Sequence, residues 1–599
     1  LRKAYGEALE KITEHATELG QNRALYAVVK TVAEAPGFAA LDPAARTLTE
    51  HALRDFRLSG VALEEPARMR FKQIANALSK ISTEFEEAVL DATDAWNEPL
   101  TEEAQLAGIP ESGRAVLREY AKERGIDGWL VTLKQPSVQA VLNYADDRGL
   151  RERIYTAYST RASDQGPQAG RFDNSARIEE IIALRHEAAQ LLGFANAAEE
   201  SLATKMAPST DTVLAFLHDL VRKAKPMAER DLAELRAFAA NQLGITDLQP
   251  WDVGYASEKL RERKYQLNEE ELKPYFALDA VIDGLFTITQ RVFGVSLALR
   301  GNVPVWHPDV RYYDVRDAEG RVIAGAYVDL YARNAKRGGA WMDVCRSRFR
   351  DGGALHLPIA YLTCNFAPPT EGVPSLLTHD DVLTLFHEFG HGLHHLLTEV
   401  DYPSVSGISG VEWDAVELPS QFMENFGWQR AALDLFARHW QTGAPLPDEL
   451  FARMQAARHF QAGLFLVRQL EFGLFDFRLH LEFDPAHGAR ANELLREVRD
   501  EVAVIKPPAW QRFAHSFTHI FAGGYAAGYY SYLWAEVLSA DAFARFEEAG
   551  IFDRATGDAF RREILARGGS RPALESFVAF RGREPDSEAL LRSYGLLAA

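Results

Sequence analysis

The residues with the clearest capacity for chemistry are two histidines and a glutamate in one short run, His387-Glu388-Phe389-Gly390-His391. Positions four apart lie one turn apart on one helix face, so His387 and His391 can provide two corners of a tetrahedral zinc site. Glu388 lies one step round the helix, where its carboxylate can hold and deprotonate a zinc-bound water without becoming a ligand. The spacing therefore indicates a hydrolytic zinc centre.

Such a centre needs a third protein ligand and an open position for water. The next part of the chain offers Glu412, Asp414, Glu417 and Glu424. Carboxylates at this density in an apolar stretch are costly to bury unless they are paired or bound to metal. Spacing alone does not choose between Glu412 and Glu417 as the ligand, and a solvated acidic face is the alternative without a function. Asp414 is our candidate for orienting a ligating imidazole from behind, with Gln421 and Glu424 as rivals.

A further group lies near the C-terminus, where Tyr525, Tyr529 and Tyr532 follow each other at helical spacing. A phenol O–H aimed at a developing oxyanion stabilises it, and loss of one such donor typically costs about 2.7–4 kcal/mol. Gly523 and Gly524, just before the tyrosines, can permit close backbone approach to a ligand. An aromatic stripe at this spacing is more often part of a core, so the functional interpretation depends on the histidine motif.

The helix that must carry the histidines has a recognisable start. Thr378 and Asp381 have the spacing of a capping box, in which each side chain accepts a hydrogen bond from the other residue's backbone N–H. Further along, Gly390 lowers helix propensity by about 1 kcal/mol relative to alanine. We therefore expect a close neighbour that packs against the helix at Gly390.

Most of the chain is predicted to be helical. Apolar residues recur at three- and four-residue spacing before residue 300 and again from Thr378 onward. Between these regions, Asp309–Val315 and Val322–Leu330 predict a hairpin, and Ala354–Thr363 predicts another strand. The expected fold is mainly α, with one small sheet just before the histidine helix.

Composition excludes several classes of protein. The 599 residues include 66 Lys plus Arg against 85 Asp plus Glu, a net charge of −19, which disfavours nucleic acid and anionic lipid as partners. No segment has the uninterrupted apolar length of a membrane span. Two cysteines, Cys345 and Cys364, form no disulfide framework and fit a reducing compartment. The Gly-x-x-x-x-Gly-Lys-Ser/Thr loop of nucleotide-driven enzymes does not occur in the sequence.

Taken together, these motifs resemble the thimet oligopeptidase/oligopeptidase A family of zinc metallopeptidases. The matching runs lie mostly in the C-terminal half: 385–391, 414–421, 522–534 and 581–585. The resemblance implies one Zn²⁺ per chain, held by His387, His391 and Glu417. It also implies that Glu388 is the general base.

The same resemblance assigns substrate-stabilising roles to Tyr525 and Tyr532, with His519 at or near the family's loop histidine. It implies two largely helical domains that flank a deep channel, with the small sheet lining the active site. We expect the first, mostly helical domain to span 1–300 and the catalytic region to span 301–599.

The implied activity is hydrolysis of internal peptide bonds in short oligopeptides. A dipeptidyl carboxypeptidase of the same family is the alternative, and a non-catalytic helical scaffold that binds peptide or zinc is a distant one. We expect a cytoplasmic monomer whose partners are short peptides, without nucleic acid or membrane.

Overall fold

Helices dominate the fold of this protein in a computed structural model. The structure describes residues 2–597 except 334, 335, 337, 338, 370 and 371. Helix accounts for 59% of the chain and strand for 9%, which confirms the predicted mainly α class with a small sheet. Among the described residues, no helix combines the length and apolar character that crossing a membrane requires.

The helices before the central sheet form the first part of the chain. In order they are α1 Arg2–Gly20, α2 Arg23–Ala33, α3 Pro43–Leu58, α4 Ala67–Ala95, α5 Glu111–Glu123, α6 Gln135–Tyr144, α7 Arg148–Ser159, α8 Ser175–Leu191, α9 Ala197–Leu202, α10 Thr210–Leu243, α11 Pro250–Tyr265, α12 Glu269–Leu272 and α13 Leu278–Phe293. The long α10 shows how the sequence sets such limits. Ser209 caps its start by accepting from the Thr212 N–H, and Gly244 ends it in a left-handed conformation (φ 69°).

The strands cluster in the middle of the chain. They are β1 Asn97–Leu100, β2 Trp129–Thr132, β3 Ser296–Leu299, β4 Arg311–Arg316, β5 Val322–Tyr331, β6 Trp341–Arg346, β7 Phe349–Asp351, β8 Ala354–His356 and β9 Ile359–Phe366. The main sheet has the order β3-β4-β5-β9-β6. Only the β5–β9 pair in it is parallel.

The predicted hairpin is confirmed as β4 and β5, but the single strand predicted over Ala354–Thr363 is wrong. That segment divides into β8 and β9. Pro358 lies between them and has no backbone N–H for a sheet ladder, so it separates the two strands. The sequence reasoning also missed β3 and β6, which are the two edges of the sheet.

Helices return after the sheet. They are α14 His379–Leu396, α15 Leu418–Glu424, α16 Arg430–Leu433, α17 Asp448–Ala457, α18 Ala462–Leu481, α19 Ala491–Val502, α20 Thr518–Phe521, α21 Ser531–Ala549, α22 Arg554–Phe560, α23 Ala573–Arg581 and α24 Ser587–Ser593. α14 packs on β9 and on α15, and α15 packs on α21. The sheet and α15 therefore both support α14, and α15 connects it to α21.

Two large apolar clusters form most of the core. One joins α13, the sheet, α14 and α15 to the C-terminal helices. The other joins α4, α8 and α10 to α18, α19 and the start of α21, so it draws on both halves of the chain. The half-buried Trp534 packs against both clusters. The division into 1–300 and 301–599 stays a prediction.

Candidate functional site

The helix α14 begins where the sequence predicts. The Thr378 side chain accepts from the Asp381 N–H at 3.0 Å, and the Asp381 carboxylate accepts from the Thr378 N–H at 2.9 Å. This confirms the capping box. The helix then runs without interruption through His387 and His391.

A tight contact at Gly390 brings a second segment against α14. A Cβ at this position would overlap the carbonyl oxygen of Pro419 and lie 2.6 Å from the Ser420 Cα. The expected close neighbour is confirmed, and it is the beginning of α15. Because Glu417 immediately precedes α15, the glycine allows its carboxylate to reach the histidines.

His387, His391 and Glu417 come together as one group. Their potential ligand atoms all lie within 4.8 Å of one another. Glu417 Oε2 lies 3.2 Å from His387 Nε2 and 3.0 Å from His391 Nε2. Ligand atoms in a tetrahedral zinc site with bonds near 2.0–2.2 Å are about 3.4 Å apart. Two imidazole nitrogens and one carboxylate oxygen at this spacing fit Zn²⁺.

The charges within this group stabilise one another. Burial opposes ionisation of Glu417, but the charges and hydrogen bonds of the two imidazoles hold its pKa well below the ordinary value. Burial likewise opposes protonation of His387, yet its bonds to Glu417 and Glu424 raise its pKa well above the ordinary range. Ser420 Oγ donates to Glu417 Oε2 at 2.9 Å and restricts the carboxylate further.

Glu424, not Asp414, contacts a histidine of the three-residue group. Glu424 Oε1 lies 2.6 Å from His387 Nδ1. The buried Asp414 accepts instead from the backbone N–H groups of 206–207 and from the Tyr530 hydroxyl, at 2.6, 2.9 and 2.8 Å. The proposal that Asp414 orients an imidazole is therefore corrected. That prediction assumed a helix that includes Asp414. In the structure α15 begins only at Leu418, and residues 413–417 form turns.

The other acidic candidate, Glu412, lies away from the histidines. Its carboxylate accepts from the backbone N–H of Ala573, at the start of α23, at 3.1 and 3.2 Å. The structure thus separates the two acidic residues that spacing left equivalent. His395, one turn beyond His391, places its Nε2 3.0 Å from the carbonyl oxygen of Arg346.

Glu388 is buried beside the three-residue group, with 6% of its surface exposed. Burial raises the pKa of its carboxyl, and the positive charges of His387 and His391 oppose that rise. A carboxylate with a raised pKa is a better proton acceptor near neutral pH than an ordinary glutamate. The position and the environment both suit a general base.

The three tyrosines meet, but not through a continuous helix. Residues 522–530 form turns before α21 starts at Ser531, so the predicted helical stripe is wrong. The Tyr525 and Tyr532 rings nevertheless stack at 4.9 Å, and the Tyr529 ring lies 5.2 Å from that of Tyr532. The Tyr525 hydroxyl donates to Glu417 Oε1 at 3.0 Å. Burial and the Glu417 charge raise the pKa of Tyr525 and of Tyr532, so both stay protonated donors.

His519 lies on α20, near the tyrosines but outside the three-residue group. Its side chain is exposed, and its ring lies 6.2 Å from that of Tyr525 and 5.8 Å from that of Tyr529.

Two cavities adjoin the site. One of about 770 Å³ is lined by His387, Glu424 and Tyr532, among others. Another of about 980 Å³ is lined by His519 and many apolar side chains. The two share Phe460, Phe465 and Tyr529 as lining residues. Space for an extended ligand therefore continues past Tyr529 in both directions.

Comparison with known families and proteins gives a consistent result. The model of peptidase family M3 matches residues 141–596. The model of the neurolysin/thimet oligopeptidase N-terminal domain matches residues 1–68. Oligopeptidase A of Salmonella typhimurium (strain LT2) is 52% identical over 597 residues, which cover 100% of this chain and 88% of that protein.

More distant similarities extend the comparison. The dipeptidyl carboxypeptidase of Escherichia coli (strain K12) is 35% identical over 595 residues, covering 98% of this chain and 86% of that protein. Among solved structures, PZ peptidase A with inhibitor 2 has a TM-score of 0.59 over 99% of this chain and 86% of that one. Its sequence identity is 15%, so it supports the fold alone.

Proposed function

This chain belongs to peptidase family M3 and is a metallopeptidase, and from that premise we propose that it is a zinc endopeptidase of short peptides. The observation that carries the proposal is the convergence of His387, His391 and Glu417, with Glu388 buried beside them. A structural zinc site has no need of Glu388, whereas hydrolysis requires a base there.

The metal, Glu388 and Glu424 have different roles in the proposed reaction. Bound Zn²⁺ supplies Lewis acidity, which lowers the pKa of water and polarises a carbonyl group. Glu388 accepts the proton of the attacking water and then delivers it to the amine that leaves. Glu424 fixes the ring of His387 through Nδ1 and thereby directs Nε2 toward Glu417.

The tyrosines supply hydrogen-bond donors for the transition state. Tyr532 is the principal donor to the oxygen that develops negative charge, and Tyr525 assists it from the stacked position. The Tyr525 hydroxyl also bonds to Glu417, so the same residue connects the ligand group to the substrate side. His519 contacts substrate from the rim of the larger cavity.

The proposed substrates are short unfolded peptides lying along the two cavities past Tyr529. An extended peptide can add to a sheet edge, and β6 is one edge of the main sheet. The space fits an oligopeptide, and the two largely helical domains would flank it as a deep channel. We further propose a cytoplasmic monomer, which accords with free thiols at Cys345 and Cys364.

A dipeptidyl carboxypeptidase activity is the second candidate, because a relative with that name is 35% identical. The 52% identity to oligopeptidase A favours endopeptidase activity over it. A non-catalytic scaffold is disfavoured by Glu388.

The test is cleavage of an internally quenched peptide of roughly ten residues, with products identified by mass spectrometry. We expect internal cuts that stop with a zinc chelator and return when zinc is restored. Successive release of C-terminal dipeptides would select the second candidate instead. Absence of cleavage with zinc confirmed bound would overturn the proposal and favour the scaffold.

A further inference from the structure

A buried network lies behind the tyrosine loop, residues 522–530, and holds both of its ends. Before the loop, Arg185 Nη1 donates to the carbonyl oxygen of Ile520 at 2.7 Å. At the far end, Asp476 accepts from the three successive backbone N–H groups of 527–529, at 2.9, 2.8 and 2.9 Å. Asp476 is 0% exposed, so water does not compete for these bonds.

His480 connects the two ends of this network. Its Nε2 lies 3.0 Å from Arg185 Nη1, and its Nδ1 lies 2.8 Å from the Asp476 carbonyl oxygen and 3.1 Å from Asp476 Oδ1. A guanidinium only donates, so Nε2 must accept and Nδ1 carries the proton. That proton points at Asp476. The chain Arg185–His480–Asp476 thus joins α8 and α18 to the loop.

The conformation of the loop depends on this support. Ala527 has φ 45°, in the left-handed region that a side chain disfavours. Successive N–H groups that point the same way form a concave anion site, and the Asp476 carboxylate fills it. Ser201 Oγ adds a bond to the Ala526 carbonyl oxygen at 2.9 Å. These partners therefore help to hold residues 526–529 in their observed geometry.

The loop presents Tyr525 to the site. Its hydroxyl donates to Glu417 Oε1 at 3.0 Å, and its ring stacks on Tyr532 at 4.9 Å. We infer that Asp476 is a positioning residue, which acts through the tyrosine loop to place the Tyr525 hydroxyl against Glu417. This inference rests on the proposed function, because Tyr525 must contribute to turnover for its position to matter.

The primary variant is Asp476→Asn, which keeps the shape but presents an NH₂ group to backbone N–H donors. We expect kcat to fall about 10- to 100-fold with KM changed by less than about threefold, as for a slightly misplaced catalytic group. Hydrogen–deuterium exchange should become faster for the peptide containing 527–529. The matched control is Asp252→Asn, another 0% exposed aspartate, whose charged partners are Arg148 and Arg151 on α7 instead of the loop. In this control, kcat and the hydrogen–deuterium exchange of 527–529 should both be unchanged.

A double variant separates positioning from general damage. In a Tyr525→Phe background, Asp476→Asn should lower kcat by less than about twofold further, because the group that it positions is already gone. Full multiplication of the two losses would overturn the inference. So would a kcat for Asp476→Asn equal to that of the unmodified enzyme.

Ser201→Ala provides the test if Asp476→Asn fails to fold. It removes the hydroxyl that bonds to the carbonyl oxygens of Ala526 and Ala527 and accepts from Lys205 Nζ, and it leaves Asp476 in place. We expect an about two- to tenfold fall in kcat, corresponding to one hydrogen bond, which disappears in the Tyr525→Phe background. An unchanged kcat together with unchanged exchange of 527–529 would overturn the inference. The proposed function fails separately, through absence of cleavage by the unmodified enzyme.

Discussion

At the scale of single residues, the proposed mechanism assigns metal binding and proton transfer to different side chains. His387, His391 and Glu417 point their donor atoms at one place, while Glu388 is buried next to them. A carboxylate in that position can exchange a proton with water without holding the metal. The two functions can therefore be removed one at a time.

Glu388→Gln tests the proton-transfer role. The amide keeps the size of the side chain but cannot accept the proton of water, so kcat should fall by about 10²–10⁴-fold. Zinc content, measured by metal analysis of the purified protein, should be unchanged. The control is Glu187→Gln in the similar run His186-Glu187, whose carboxylate binds Arg70 at 2.7 Å outside the site. Turnover of Glu388→Gln close to that of the control would remove Glu388 from the base role.

Glu424→Gln tests how His387 is oriented. Its carboxylate lies 2.6 Å from His387 Nδ1, and loss of such a partner typically weakens metal binding about 10- to 100-fold. Competition with a chromogenic chelator measures the zinc Kd. Glu412→Gln is the matched control, because that carboxylate bonds to the Ala573 N–H and should leave the Kd unchanged. A higher zinc Kd for Glu412→Gln but not for Glu424→Gln would mean that Glu412, and not Glu424, supports the histidine group.

At the scale of elements, the contact between α14 and the start of α15 decides whether Glu417 reaches the histidines. Gly390→Ala should push the two apart, because the added Cβ overlaps the Pro419 carbonyl oxygen. We expect a loss of about 1–3 kcal/mol in the free energy of unfolding together with weaker zinc binding.

Gly392→Ala is the control for this change. Its Cβ would meet only the end of the Leu362 side chain, at 3.1 Å, and alanine favours the helix by about 1 kcal/mol over glycine. Thermal unfolding and zinc titration of both variants distinguish the contact from a general effect on α14. Equal unfolding temperatures and equal zinc affinities for the two variants would show that the contact at Gly390 does not determine the position of Glu417.

The edge strand β6 is where a peptide backbone could add to the sheet. The Val344 N–H donates to Asp343 Oδ1 at 2.7 Å. A bound peptide carbonyl would replace the Asp343 carboxylate as the acceptor of this N–H. Val344→Pro removes the donor, so we expect KM to rise about two- to tenfold, the effect of one hydrogen bond. The rise should be similar for peptides of different sequence, because backbone bonding does not read side chains. Leu299→Ala at the opposite edge, in β3, should leave KM unchanged, and a sequence-selective rise would argue against strand addition.

Local sequence patterns predicted those parts of the site that depend on neighbours along the chain. The capping box and the two histidines belong to one helix, so their spacing was sufficient. Glu417 was different, since residues 413–417 are turns and helical spacing could not place its carboxylate; only the family resemblance distinguished it from Glu412. The bond from Arg185 to Ile520 joins residues 335 apart, and nothing in a local pattern signals such a tertiary contact.

At the scale of the whole molecule, the cavity beside the site is closed partly by the C-terminal segment. Glu536 on α21 and Tyr594, just after α24, both line it. The Tyr594 hydroxyl donates to Glu536 Oε2 at 3.0 Å, which ties the end of the chain to the helix that follows the tyrosine loop. The charge state of Glu536 therefore affects the strength of the contact between α21 and the C-terminal segment.

That charge state predicts how stability depends on pH. Burial raises the pKa of Glu536 from 4.5 to about 8, with the Tyr594 hydrogen bond opposing the rise and the Glu424 charge adding to it. The folded protein then holds a proton that the unfolded chain releases, so stability falls as pH rises from about 4.5 to about 8. Glu536→Gln stays neutral and keeps an oxygen acceptor for Tyr594. We expect it to be more stable than the unmodified protein at pH 8, by about 1–3 kcal/mol, and equal to it near pH 4.5. Thermal unfolding at several pH values measures the difference, and parallel curves for the two proteins would show that Glu536 is ionised in the folded state.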